Sequence, residues 1–200
     1  LVKNGLSTVQ ISGPADFDLP EGVEALVVCH KTRSCDPKEA VRISLNTLEY
    51  LQKLGFQQIF FKYCSTFDST ENGNIGPVTD ALMERLGTDV TVVAPALPVN
   101  KRTVYKGNLF VGDVPLNESG MRNHPLNPMK DSNLLRLMDA QSKGKSGLIT
   151  WEEIRQGADV VKNRIQALRA EKINYIVPDA LVDADLDVLA EATLDLPLVT

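Results

Sequence analysis

Short apolar runs alternate with amphipathic helical patterns along this 200-residue chain, and that alternation restricts its fold more than any other feature. Strands are expected over 7–11, 25–29, 58–61, 90–94, 147–150, 175–177 and 198–200, where the runs are continuously apolar instead of alternating. Such runs suit strands with both sheet faces covered by helices. The spacing predicts helices over 37–54, 77–86, 132–141, 151–170 and 184–192. Val41, Leu45, Leu48 and Leu51 line one face of the first, and Val161, Ile165 and Leu168 one face of the fourth. This order of elements implies an α/β fold, a doubly wound parallel sheet in three α/β/α layers. The stretch 102–115 departs from it. Its Lys106-Gly107-Asn108 and Gly112-Asp113 sequences are turn signals, so a β-hairpin excursion is expected there.

Charge and cysteine content narrow the partners. A net charge of −5 argues against a general nucleic-acid or anionic-membrane binder. No apolar run approaches the roughly 20 residues that span a bilayer. The three cysteines, Cys29, Cys35 and Cys64, have no CxxC spacing, which fits a reduced, cytoplasmic protein without disulfides or structural zinc. The opening Leu1–Gly5 reads as a last helical turn with Gly5 as its C-cap, and the chain closes on a strand. It is therefore expected to be a fragment of a longer protein.

In an open parallel sheet, ligands bind beyond the carboxyl ends of the strands. The loops expected there gather Lys31, Arg33, Lys62, Lys101 and Arg102 at one edge of a net acidic chain, a pattern that suits a small anionic ligand. Arg33 and Arg102 have the fork geometry for a carboxylate. The loop running from Lys62 to Gly76 is rich in hydroxyls and amides, and it leads into a helix. Gly73 and Gly76 there are expected to let an anion approach the helix N-terminus. A well-capped polar loop is the competing reading, since the same residue types serve as caps and turns.

Other motifs do not hold. Gly144-Lys145-Ser146 lacks the first glycine of a phosphate-binding loop, because Asp139 stands in its place. The acids between Asp183 and Asp187 lack the glycine and closing glutamate of a calcium loop, and suit a helix N-terminus instead. His30 and His124 lie far apart in sequence, and no metal-ligand spacing or GxSxG elbow is present.

The residues of these loops nevertheless form longer patterns. Lys62-Tyr-Cys-Ser-Thr-Phe-Asp-Ser-Thr70, Gly73-Asn-Ile-Gly-Pro-Val78, Ala94-Pro-Ala-Leu-Pro98, Arg102-Thr-Val-Tyr105 and Met121-Arg-Asn-His-Pro-Leu-Asn-Pro-Met129 together resemble the four-carbon acid sugar kinase family, in its 3-oxo-tetronate kinase branch. The resemblance covers nearly the whole chain. It implies that residues 1–200 are most of an N-terminal sugar-acid-binding domain, with the nucleotide-binding domain outside this chain. The implied reaction is phosphoryl transfer from ATP, with Mg2+, to the terminal hydroxyl of a four-carbon sugar acid.

The resemblance also implies roles for particular residues. Arg33 and Arg102 would clamp the carboxylate, and Lys62 would face the substrate or the transferred phosphoryl. Ser65, Thr66, Asp68 and Asn74 would read hydroxyls and the ketone, with Asp68 one of two candidates for general base. No metal ligand set is expected within the chain. Lys101 departs from the family, standing where relatives commonly carry glycine. Homo-oligomerisation stays open, as do two other functions on the same sheet: a non-catalytic sugar-acid sensor and a nicotinamide-dependent oxidoreductase, the latter opposed by the lack of GxGxxG.

Overall fold

The computed structural model describes residues 1–16 and 18–200. Its strands in chain order are β1 (Thr8–Ser12), β2 (Ala25–Cys29), β3 (Ile59–Phe60), β4 (Thr91–Val92), β5 (Arg102–Tyr105), β6 (Asn108–Val111), β7 (Val114–Pro115), β8 (Ser146–Ile149), β9 (Tyr175–Pro178) and β10 (Leu198–Val199). Its α-helices are α1 (Pro37–Lys53), α2 (Ile75–Leu86), α3 (Leu134–Asp139), α4 (Trp151–Ile154), α5 (Ala158–Ala170) and α6 (Asp183–Ala192). The opening turn Val2–Asn4 ends at Gly5 (φ 87°), whose N–H donates to the Val2 carbonyl, so Gly5 is the cap that its position predicts.

The centre is parallel. β4, β9 and β8 pair in that order, and β3 pairs with β10. Thr200 joins the two groups: its N–H donates to the Val92 carbonyl, and its carbonyl accepts from the Ala94 N–H, each at 2.9 Å. The strand order is thus β3-β10-β4-β9-β8. Val92, Ile149, Ile176, Val177 and Leu198 on these strands are fully buried, as is Val93 just after β4. Helices α1, α2 and α3 pack among themselves, and so do α4, α5 and α6, which gives the helical layers of an α/β sandwich. Each fully buried aliphatic side chain contributes about 1.5–3 kcal/mol, which explains why these strands need no alternation.

β1 and β2 form a separate parallel pair. Among the described residues no backbone ladder joins β2 to β3. Side chains and loops bridge that seam, as described below.

The excursion over 102–115 is an antiparallel meander, β5-β6-β7. Lys106 (φ 48°) and Gly107 (φ 72°) are both left-handed between β5 and β6, which matches the handedness of the flanking strands. Asp179, fully buried, accepts the N–H of Gly107 at 2.9 Å and of Trp151 at 3.1 Å. It tethers the meander to α4, and burial pushes its pKa up. This carboxylate, just past the carboxyl end of β9, serves structure.

Two helices differ from expectation. The pattern over 151–170 is broken at Gly157 (φ 101°), which separates α4 from α5. α3 is shorter than 132–141 because the Asn133 side chain caps it, accepting the Arg136 N–H at 3.1 Å. The acids of α6 do complement a helix start, as Asp185 accepts the N–H groups of Leu181 and Val182 at 2.8 and 3.0 Å.

Candidate functional site

The loop after β3 is built around an aromatic anchor. Phe67 is fully buried, with its ring edge-on to Tyr63 at 5.7 Å, and Tyr63 stands edge-on to Phe61 at 5.5 Å. Holding Phe67 inward forces two adjacent left-handed residues, Phe67 (φ 58°) and Asp68 (φ 40°). Left-handed backbone costs roughly 1–2 kcal/mol per non-glycine residue, and the burial of Phe67 offsets it. The outcome is a carboxylate in an unusual place.

Asp68 has a side chain only 3% exposed. Its Oδ1 accepts one hydrogen bond, from Asn127 Nδ2 at 3.3 Å. Arg33 Nε lies 3.7 Å from Oδ2, and His124 Nδ1 lies 3.8 Å from Oδ1. A carboxylate offers about four acceptor directions, and desolvation without partners is costly. Asp68 is therefore a buried, under-satisfied acceptor with a cation and an imidazole beside it. That combination suits a hydroxy acid, which brings both hydroxyl donors and an anionic group.

Three separate segments converge here. Arg33 follows β2, Asp68 follows β3, and His124 and Asn127 come from the turn after Gly120–Asn123. Asn127 Nδ2 also reaches Ser34 Oγ at 3.3 Å. Asn74 bridges the seam, its amide donating to the carbonyls of Thr32 at 2.7 Å and Cys35 at 3.2 Å. His30 is tied to the helix after it by a 2.6 Å contact between Nε2 and Thr47 Oγ1, and burial lowers its pKa.

The two glycines have a different purpose from the expected one. A Cβ at Gly73 would lie 1.9 Å from Ser69 Oγ, and one at Gly76 would lie 2.6 Å from Gln141 Cγ. Gln141 Oε1 accepts the Gly76 N–H at 2.9 Å and the Ser69 hydroxyl at 2.8 Å. The Ile75 N–H faces Ser69 Oγ at 3.4 Å. The first amides of α2 are thus occupied by the protein, and the expected anion seat at this helix end is corrected. Close packing of Ser69 and Gln141 is what requires glycine.

The remaining residues singled out in the sequence are distributed around this centre. Thr66 is buried, with its hydroxyl 3.0 Å from Cys64 Sγ. Lys62 is exposed and donates to the Tyr63 carbonyl. Lys62 and Ser65 line a cavity of ≈ 350 Å³ whose other walls include Phe61, Ala96, Leu97 and Leu189. That cavity is apolar and includes no member of the Asp68 cluster, so the chemistry of a sugar acid favours the cluster over the cavity. Arg102 donates to the Asn100 carbonyl, and its Nε is buried without a partner among the described residues. Lys62 and Arg102 stand beyond the carboxyl ends of β3 and β4, at the same edge as Asp68, without an ion pair to it. Lys101 is left-handed (φ 57°), a backbone conformation that glycine adopts at least cost.

Sequence reasoning missed His124 and Asn127. Both lie within the Met121–Met129 pattern, but distance along the chain concealed that their turn folds against Asp68.

Comparison with known proteins gives the family of the chain. A model of the sugar-binding N-terminal domain family matches residues 1–199. The chain belongs to that family. This sugar-binding N-terminal domain is 55% identical over 200 residues to the 3-oxo-tetronate kinase of Actinobacillus succinogenes, and 54% identical to that of Escherichia coli. All of the chain is covered in both, against 48% and 52% of the relatives, so it spans about half their length. Among solved structures, it is similar to a Haemophilus influenzae protein with a TM-score of 0.97 and 53% identity, over 100% of this chain and 48% of that one. A Bordetella bronchiseptica domain, described with bound citrate as a domain-swapped dimer, gives a TM-score of 0.80 at 28% identity over 99% of this chain and 48% of that one.

Proposed function

We propose that this domain is the sugar-acid-binding half of an ATP-dependent kinase that phosphorylates the terminal hydroxyl of a four-carbon sugar acid such as 3-oxo-tetronate. The observation that carries the reading is Asp68, a buried carboxylate with one hydrogen bond, set at the carboxyl edge of the sheet beside Arg33. The names of the relatives at 50–55% identity support it.

In this reading Arg33 pairs with the substrate carboxylate, and Arg102 adds a second guanidinium from the next loop. Asp68 accepts the hydrogen of a substrate hydroxyl and orients that oxygen for attack. Lys62 supplies positive charge on the side where a phosphoryl group would arrive. Positioning and charge neutralisation are what phosphoryl transfer most needs from a protein. Ser65, with no side-chain hydrogen bond among the described residues, has its hydroxyl free for substrate; Thr66 and Asn74 shape the loops.

The amides at the start of α2 are occupied by the protein, so that helix end offers no seat for the phosphates of ATP, and Mg2+ would arrive with the nucleotide, held by its phosphates and one or two carboxylates. We assign both to residues outside this chain, as relatives of twice its length imply. No helix among the described residues is long and apolar enough to cross a membrane.

The test is ADP formation by the full-length protein with ATP, Mg2+ and 3-oxo-tetronate. Asp68→Asn keeps the shape and removes the charge, and it should lower kcat by about 100-fold or more with the melting temperature retained. Wild-type protein that binds the sugar acid without forming ADP would favour the sensor reading. An Asp68→Asn variant with full kcat would remove Asp68 from the chemistry.

A further inference from the structure

The turn bearing His124 carries a second donor to the same site. The Asn127 backbone N–H donates to His124 Nδ1 at 3.1 Å. A nitrogen that accepts cannot itself hold a proton, so the neutral ring carries its hydrogen on Nε2. Asp68 Oδ1 stands 3.8 Å from Nδ1, beyond hydrogen-bond distance, and so does not compete for that nitrogen. Nε2 has no partner among the described residues, is not a buried orphan atom, and belongs to a side chain that keeps 30% of its surface exposed. The backbone has thus fixed which nitrogen is the donor and left that donor free, on a ring whose other nitrogen lies 3.8 Å from Asp68.

We propose that His124 is a substrate-contacting, specificity-determining residue, donating a hydrogen bond from Nε2 to an acceptor oxygen of the sugar acid, its carboxylate or its ketone. The inference rests on the sugar-acid reading of the Asp68 cluster and adds its missing complement. Asp68 accepts from a hydroxyl, while His124 and Arg33 donate to oxygens that carry no hydrogen. A ligand with both kinds of oxygen engages all three side chains. A hydroxyl oxygen of a simple polyol can also accept from Nε2, but a carboxylate oxygen makes the stronger, charge-assisted bond, so the ring favours acids over polyols.

The competing role for His124 is purely structural, since its Nδ1 also holds the turn that delivers Asn127 to Asp68 and Ser34. Two amide variants separate the roles. A glutamine amide overlays Nε2, so His124→Gln keeps the outward donor and loses the inner acceptor. An asparagine amide overlays Nδ1, so His124→Asn keeps the inner acceptor and loses the donor. In full-length protein, 3-oxo-tetronate affinity is measured by titration calorimetry, beside KM from ADP release and the melting temperature. His124→Asn should weaken sugar-acid affinity and raise its KM by roughly tenfold or more, with KM for ATP and the melting temperature little changed. His124→Gln should stay within about threefold of wild type, since a hydrogen bond of similar strength is retained. The reverse order, or equal loss in both variants with a lowered melting temperature, overturns the proposal and leaves His124 a turn residue. Wild-type protein that binds without turnover removes the kinase reading alone, because the two variants are still compared by affinity. No binding by wild type overturns both.

Discussion

Gly76→Ala separates two explanations of the same glycine. Inside a helix, alanine is ordinarily favoured over glycine by about 1 kcal/mol, so propensity alone predicts stabilisation. At this position the new methyl would lie 2.6 Å from Gln141 Cγ, 2.7 Å from the Gln141 carbonyl oxygen and 2.8 Å from its carbonyl carbon. Two of those atoms are backbone, so relief requires the segment after α3 to move as a unit. That movement would stretch the hydrogen bonds which Gln141 Oε1 receives from Gly76 and Ser69. Overpacking typically costs 1–3 kcal/mol, and a strained buried bond about 1 kcal/mol more. Against the propensity gain, the expected net loss is about 1–3 kcal/mol. For a domain of this size that lowers the melting temperature by roughly 3–10 °C. Thermal unfolding followed by circular dichroism, with and without saturating sugar acid, provides the assay. A variant as stable as wild type but deficient in ligand binding would refute the packing account and restore the anion-seat reading of this glycine.

Lys101→Gly should raise stability by about 0.5–1 kcal/mol, because it relieves a left-handed lysine by more than glycine adds in unfolded-chain entropy; chemical denaturation with an unchanged midpoint would show that Lys101 makes a compensating contact. His30 introduces a pH dependence. Burial lowers its folded-state pKa below the unfolded value, so the unfolded chain binds the extra proton first, and the stability His30 contributes is lost as pH falls through 6.5 and below. Melting temperatures of wild type and His30→Asn between pH 7.5 and 5.5 should therefore converge toward the acid end, and parallel curves would exclude His30 as the source.

Much of the fold is legible in the sequence because it rests on apolar periodicity. The apolar segment Ala25–Cys29 forms the β2 expected of it, and the Val161, Ile165 and Leu168 stripe packs inward as its spacing requires. The break at Gly157 is less visible, since one glycine within a helical pattern is commonly tolerated and only the capping box at Thr150 and Glu153 marks α4 as a separate turn. At the candidate site, legibility followed residue chemistry but not geometry. Arg33 and Asp68 were singled out and do meet. Asn74 drew attention as an amide in a polar loop, yet its NH2 group is spent on two carbonyls. In the sequence His124 stands far from His30 and outside any metal-ligand spacing, and only folding brings its turn across the sheet edge to Asp68.

The seam between the β1–β2 pair and the five-stranded sheet gives the binding edge a mechanical character. Arg33 rides on one rigid plate and Asp68 on the other, and no backbone ladder fixes the spacing between them among the described residues. Asn74 sets that spacing like a spacer bar, rooted beside Asp68 at the head of α2 and reaching across to Thr32 and Cys35. A ligand held by Arg33 and Asp68 together would act as a second bar in parallel with it. Occupancy of the site would then be felt as stiffness along the whole seam, far from any atom that the ligand touches.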